Sequence, residues 1–399
     1  MLIHVADASR SVSTGIQLEP THFQSLNSQR IEVTYGTYTV PPRSEDDGMM
    51  HFRGRFSPPC TDCLVTSMLA DIRYPNDTVA DASTGMWMHH VVFVNLNRSD
   101  STCPEILPSQ QRFFASGNER TEVDLTAGGA NKLGYAFNAT DMLAMQGELM
   151  NLLDEAQKVV VSVTWEFIDR SSAIAAGFRE VVPYWLDVGG CGNSDKPALP
   201  DQAFEYGSPR LHVRAYGEIA FVGGHLHDGG THIDMLRDDK VICTMRAAYG
   251  KADASVDGME HIAHIPVCTD VGAVDRNDQW TIKAYYDTIE HPPMALDDGS
   301  LEPVMGIAIA YVVGGERNSG KGKGSSYNEV LWIVLPLISL VLVATGLGLR
   351  RNPEVAQSWY DWIRYRGWQR VKLDDEQQAA REEEGTLLAG QRHNNDDEV

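Results

Sequence analysis

Residues 158–169 read KVVVSVTWEFID. Val159, Val161, Val163, Trp165 and Phe167 fall at every second position, with Ser162, Thr164 and Glu166 between them. That period of two predicts a strand with one face buried and the other wetter. Working outward, the same texture recurs at His89–Leu96, Glu218–His227, Trp280–Asp287 and Met305–Val313, so the fold class is all-β. Asp141–Glu155 breaks the pattern. Met142, Met145, Leu149 and Leu152 come at nearly helical spacing there and predict a helix, with its methionines packed in a core.

The chain divides by composition. Residues 1–30 carry little pattern. A first β domain is expected over 31–185, a Gly- and Pro-rich connection over 186–205, and a second β domain over 206–315. Residues 314–326, GGERNSGKGKGSS, read as a flexible stalk, set at 316–329. Residues 330–349, VLWIVLPLISLVLVATGLGL, hold no charge, and twenty residues at about 1.5 Å each cover the roughly 30 Å of a bilayer core. One transmembrane helix is therefore expected there, with lipid as its partner. The remainder, 350–399, interleaves Trp359, Trp362 and Trp368 with arginines, as an interfacial segment does, and ends in an acidic tail.

The formal net charge of -22 across 399 residues excludes a nucleic-acid partner, which would need a basic face. Arg350, Arg351 and the basic residues after them place the C-terminus in the cytoplasm and the folded region outside or in a lumen. This implies the secretory pathway or the cell surface. Glu383–Leu388, EEGTLL, has the form of an acidic dileucine signal for endosomal or vacuolar sorting. Sequons at Asn76, Asn97 and Asn138 all precede the helix and mark candidate glycosylation sites. So do all six cysteines, which suggests disulfides in an oxidising compartment. Cys243 and Cys268 are expected to pair. Cys60, Cys63, Cys103 and Cys191 allow three connectivities. The opening MLIHVADASR lacks the apolar run of a signal peptide, which an exterior domain requires, so an incomplete N-terminus is expected.

Histidine carries the chemistry. His225 and His227, in FVGGHLHDGGTH, lie two apart on one strand face and can reach one ion. His89 and His90, in MWMHHVVFVN, are adjacent and share an ion only through a bulge or irregular backbone. His232, His261 and His264 are read as solvated or core histidines. His51 is a substitute ligand without further support.

In the order and spacing of these residues, over about 50–315, the chain resembles the copper type II, ascorbate-dependent monooxygenases, such as peptidylglycine α-hydroxylating monooxygenase and dopamine β-monooxygenase. Its texture is also similar to the stress-up-regulated nodulin family. The resemblance implies two jelly-roll-like β-sandwich domains in tandem, each holding copper. It implies one copper site at His225, His227 and Met305, and a second at His89 and His90. The chain departs from that pattern in three places. Thr164–Trp165 stands where the family has the third histidine of the second site. Gly223 and Ile309 stand where the peptide-hydroxylating enzyme grips a carboxylate, so a peptide C-terminal glycine is not the expected substrate. Two functions follow: a copper-dependent oxidoreductase with an incomplete electron-transfer site, or a non-catalytic ectodomain that binds copper, a small molecule or a protein.

Overall fold

The computed structural model describes residues 6–7, 15–296 and 298–314. The stalk, membrane helix and tail expected at 316–399 lie outside the described residues. Among the described residues no helix is long and apolar enough to cross a membrane.

The described fold is built of strands, with one short α-helix at Arg170–Ala175 capped by Asp169, whose carboxylate accepts from the Ser171 and Ser172 amides. Two cores organise it. A five-stranded sheet contains Met49–Phe56, Leu143–Asn151, Met86–Asn95 and Gln111–Gly117. It faces the first half of a ten-stranded sheet, in which Gln29–Val40, Gln157–Asp169 and Cys63–Arg73 run side by side. Val159, Val161, Val163 and Trp165 fill the first core between them. The wetter face of Gln157–Asp169 is drier than the alternation implies. Glu166 is buried because its carboxylate accepts the Thr21 and His22 amides, both at 2.9 Å.

The long sheet continues through Arg179–Asp187, Gly306–Gly314, Gly217–Leu226 and Cys268–Val274. A third sheet, including Gln279–Asp287, Gly230–Arg237 and Lys240–Arg246, covers its other side and encloses the second core. Gly306–Gly314 thus has a core on each face. Ile307, Ile309 and Tyr311 enter the first core and Ala308, Ala310 and Val312 the second. That two-sided burial is why GIAIAYVV is an unbroken apolar run rather than an alternating one. Arg179–Asp187, which the sequence places at the end of the first domain, pairs along its length with Gly306–Gly314.

The helix expected over Asp141–Glu155 is a strand, Leu143–Asn151. Leu143, Met145, Gly147 and Leu149 alternate into the buried side, and glycine at one of those positions hid the period of two. Disulfides join Cys243 to Cys268, Cys60 to Cys63, and Cys103 to Cys191. Side chains tie the two halves together: Asn118 Nδ2 donates to the Ile262 carbonyl at 2.9 Å, and Tyr311 Oη to the Phe113 carbonyl at 2.7 Å.

Candidate metal centre

His89 and His90 sit near the middle of Met86–Asn95, paired with Leu143–Asn151. The register carries the irregularity that two adjacent histidines need. His90 pairs with Glu148 and Met88 with Leu149, so His89 has no opposite residue. An extra residue in one strand bends it and re-aims its side chains. Both imidazoles then turn toward the same place, with their Nδ1 atoms 3.0 Å apart. His225 and His227 close the Gly217–Leu226 strand on the face that carries Phe221. His227 donates its amide to the Met305 carbonyl at 3.4 Å.

The structure brings these two pairs together. The rings of His89 and His227 have centroids 4.2 Å apart, and those of His225 and His227 5.3 Å apart. His90 stands 6.3 Å from His225 and 6.4 Å from His227. One ring nitrogen from each of His89, His90 and His227 lies within 4.8 Å of the others. The sequence set the pairs in two domains, with one copper at His225, His227 and Met305 and an incomplete second site at His89 and His90. Here they form one cluster where the two cores meet. Met305 is buried in the first core on the alternation of Ile307, Ile309 and Tyr311, and its carbonyl reaches the cluster through the His227 amide.

The hydrogen bonds fix how each ring presents itself. His227 Nδ1 lies 2.8 Å from the Pro303 carbonyl, which can only accept. Nδ1 therefore carries the proton, and Nε2 a lone pair. His225 Nδ1 donates to Glu119 at 3.1 and 3.2 Å. The Nε2 atoms of both rings are buried without a partner. His89 is gripped by Glu302, 2.5 Å from its Nε2, and by Glu148, 3.1 Å from its Nδ1. A ring pinned through one nitrogen by a carboxylate or carbonyl, with the other nitrogen bare and buried, is how proteins orient a metal-ligating histidine. Packing enforces the pose. Gly117, opposite His90, leaves room that a Cβ would close at 2.4 Å from His225 Cε1.

Electrostatics divide the cluster into one charged ring and two neutral ones. Burial opposes charge on His89, but Glu302 and Glu148 overcome it and push the ring up to about 10. Burial and then the charge on His89 push His90 down to about 3. The same two causes hold His227 well below the ordinary histidine range. Burial would raise Glu148, yet the hydrogen bond to His89 and the neighbouring imidazoles bring it down to about 2. At neutral pH, His90 and His227 are thus uncharged donors, the state in which imidazole ligates.

The acidic partners Glu119, Glu148 and Glu302 were missed by sequence reasoning. Reading 141–155 as a helix hid Glu148, because only a strand register places it between His51 and His90. His51 bonds Glu148 at 2.9 Å from a half-exposed position. Elsewhere, His232 stacks on Tyr285 with centroids 4.3 Å apart, and His264 is exposed. His261 is buried between Asp228, at 2.6 Å, and Asp257, at 3.1 Å. Thr164 lies on the sheet face opposite the buried Trp165, whose indole N–H donates to Tyr35 Oη at 3.0 Å.

No family model matches the chain. It is 38% identical over 356 residues to the "Probable copper-dependent oxygenase M1" of Phoma sp., covering 88% of this chain and 90% of that one. It is also 38% identical over 303 residues to the "Probable copper-dependent oxygenase clz3" of Cochliobolus lunatus, covering 75% of this chain and 95% of that one. Among solved structures, PNGF-II aligns with a TM-score of 0.37 and 9% identity, covering 75% of this chain and 66% of that one, too loosely to bear on function.

Proposed function

The chain belongs to the family of these probable copper-dependent oxygenases, and from that premise we propose that it is a copper oxidoreductase whose histidine cluster holds the metal at one centre. The observation that carries this reading is the cluster itself. His89, His90 and His227 converge from two sheets, and the buried Nε2 atoms of His225 and His227 lack any other partner. The donor set fits copper, for which imidazole is a good ligand in either oxidation state. Two nitrogens 3.0 Å apart also fit on one ion whose metal–nitrogen bonds are about 2.0–2.1 Å, the range given for zinc.

Copper, when bound, supplies one-electron redox chemistry and the capacity to activate dioxygen. The chain does the rest. Glu119 and the Pro303 carbonyl fix which nitrogen His225 and His227 present, and Glu302 and Glu148 orient His89 from its two nitrogens. Burial in and between the two cores keeps bulk water from His89, His225 and His227. His51 and Glu148 form the polar flank, in a cleft of about 190 Å³ that His90 also lines. Met305 is the candidate soft ligand: its place beside His227, on the face of Ile307, supports that role, and a thioether favours Cu(I). A fold related to the ascorbate-dependent monooxygenases is part of this proposal, though one shared centre replaces their two separate coppers.

We also propose that the described region is lumenal or exterior, anchored by residues 330–349, and glycosylated. Asn76 and Asn97 are exposed. At Asn138, Nδ2, the atom that would carry a glycan, donates to Asp141 at 3.4 Å, and Oδ1 accepts from Arg170 at 2.5 Å.

Metal analysis of the purified chain tests the central reading. About one copper per chain is expected, and less than a tenth of that in His227→Ala. Two coppers per chain, both retained in His227→Ala, would refute the shared centre. Copper that binds but is never reoxidised by dioxygen after reduction with ascorbate would favour the non-catalytic alternative.

A further inference from the structure

One side of the histidine cluster borders a small cavity of about 40 Å³, with His90 and His225 in its lining. A hole needs roughly 10–15 Å³ to seat one water-sized atom, so this one seats about three. It is far below the roughly 300–1,000 Å³ of pockets that take drug-sized molecules. Its walls are largely apolar, with Val92, Trp185, Phe221 and Ile309 among them.

Gly223 helps to leave the cavity open. Along Gly217–Leu226, Phe221, Gly223 and His225 share a face, and Gly223 alone contributes no side chain there. A Cβ on Gly223 would stand 3.1 Å from Phe221 Cε1, and its φ is one that any residue adopts. The space is therefore an omission that a methyl group begins to fill.

Six side chains with polar atoms besides His90 line the space. Four are satisfied: the Glu119 oxygens accept from the Gly117 amide and His225, Thr121 Oγ1 donates to the Ile265 carbonyl, Tyr311 Oη to the Phe113 carbonyl, and Trp185 Nε1 to Asp187. The other two are His225, whose Nε2 is bare, and Ser116, whose buried Oγ has no partner. Once the metal takes His225 Nε2, the Ser116 hydroxyl is left as the unmatched donor in an apolar chamber of a few atoms. A buried hydroxyl without a partner is destabilising, and an occupant that accepts even a weak hydrogen bond relieves part of that.

We infer that this chamber is the seat of dioxygen beside the metal, that Gly223 helps to keep it open, and that Ser116 is the positioning donor for the bound gas. The inference rests on the copper reading for its redox meaning, but the chamber itself can be tested without copper. A single water bridging Ser116 and His225 is the competing occupant, and a polar water site excludes a noble gas.

The test is xenon binding to the metal-free full chain, read from the xenon-129 shift and located in xenon-pressurised crystals. One xenon atom is expected in the wild-type chamber, with at least tenfold weaker binding in Gly223→Ala. Ser116→Ala should keep the xenon, which guards against a Gly223 variant that misfolds. In the copper-loaded chain reduced by ascorbate, both variants should bind wild-type amounts of copper yet show at least tenfold slower reoxidation by dioxygen. A wild-type chamber holding ordered water and no xenon overturns the inference. So does xenon undiminished in Gly223→Ala, or reoxidation at the wild-type rate in both variants. A chain that takes up xenon but no copper leaves the chamber standing and sinks the copper reading instead.

Discussion

Two buried histidine sites stand close together in this molecule and are wired in opposite ways. At His261 both ring nitrogens are satisfied, Nδ1 by Asp228 at 2.6 Å and Nε2 by Asp257 at 3.1 Å, with the ring against Trp87. At His225 and His227 one nitrogen is tied, to Glu119 or the Pro303 carbonyl, and the other is bare. Both arrangements bury imidazole at comparable depth. The first is a closed ionic strut that joins the segment after Leu226 to the Asp257 loop. The second is open, and a buried lone pair without a donor is tolerated where something else binds it. Burial and acidic neighbours do not separate a structural histidine from a ligating one; the bare second nitrogen of His225 and His227 does, whereas His89, held at both nitrogens by Glu302 and Glu148, must give up its Nδ1 proton to ligate.

The contrast breaks most sharply under crossed substitutions. His227→Ala should lower copper affinity at least 1,000-fold, about 4 kcal/mol at a factor of ten per 1.4 kcal/mol, with little loss of folding stability. His261→Ala should do the reverse. It takes the imidazolium from the Asp228 and Asp257 carboxylates and should cost about 3–5 kcal/mol of stability, while copper still binds at one per chain. Denaturant titration and metal analysis of both variants check this. Loss of copper in His261→Ala with the fold intact would mean that the two sites are not separate in kind.

The next effect tests the ties themselves. Glu302→Gln keeps the shape and an acceptor but removes the charge that holds His89. Copper affinity should fall about 10–100-fold, the usual cost of altering a ligand's outer partner. Asp257→Asn makes the equivalent change at the closed site and should leave copper affinity unaltered. Competition with a copper chelator measures both, and equal losses would erase the distinction.

These roles were unevenly legible in the sequence. The strands around His89, His225, Trp280 and Met305 were readable from their alternation or their unbroken apolar runs, and the need for a bulge at His89 followed from adjacency alone. Convergence was not readable. It depends on the long sheet that carries Gly217–Leu226 and Gly306–Gly314 past the first core, and sequence spacing holds no trace of that pairing. The glutamates were hidden for a different reason. Glu119 and Glu302 lie beside short loops, where no period marks a direction. Glu148 lies in a strand whose buried side includes Gly147, so its helical-looking methionines misdirected the reading.

A smaller effect is pH dependence at the closed site. Burial opposes charging His261, but Asp228 and Asp257 raise it to about 10. A raised histidine contributes stability that is fully present below its unfolded value of about 6.5 and is lost as pH rises through about 10. Asp257 is held below its ordinary value by His261, which outweighs burial. Its contribution is present above that ordinary value and lost as pH falls below it. Relative to His261→Gln, the metal-free wild type should therefore be most stabilised between about pH 4 and 6.5. The difference should shrink steadily toward pH 10. A difference that stays flat from pH 6.5 to 10 would show that His261 is neutral in the fold.

The smallest effect concerns Met305, which stands between the two kinds of site. It is buried in the first core like a packing residue, yet it lies on the face of Ile307 and Ile309, with its carbonyl bonded to the His227 amide. Met305→Ile keeps the volume roughly constant, and such swaps in a core usually cost under about 1.5 kcal/mol. The substitution thus removes the sulfur and little else. Imidazole serves both oxidation states of copper, whereas a thioether adds most to Cu(I). If Met305 belongs to the open site, Cu(I) affinity should fall about tenfold while Cu(II) affinity moves less than about twofold, a change of roughly 1.4 kcal/mol confined to one state. Chelator competition on the reduced and oxidised protein separates the two. If both affinities hold, Met305 belongs with the packing, the histidines alone make the centre, and the open site is defined by nitrogen only.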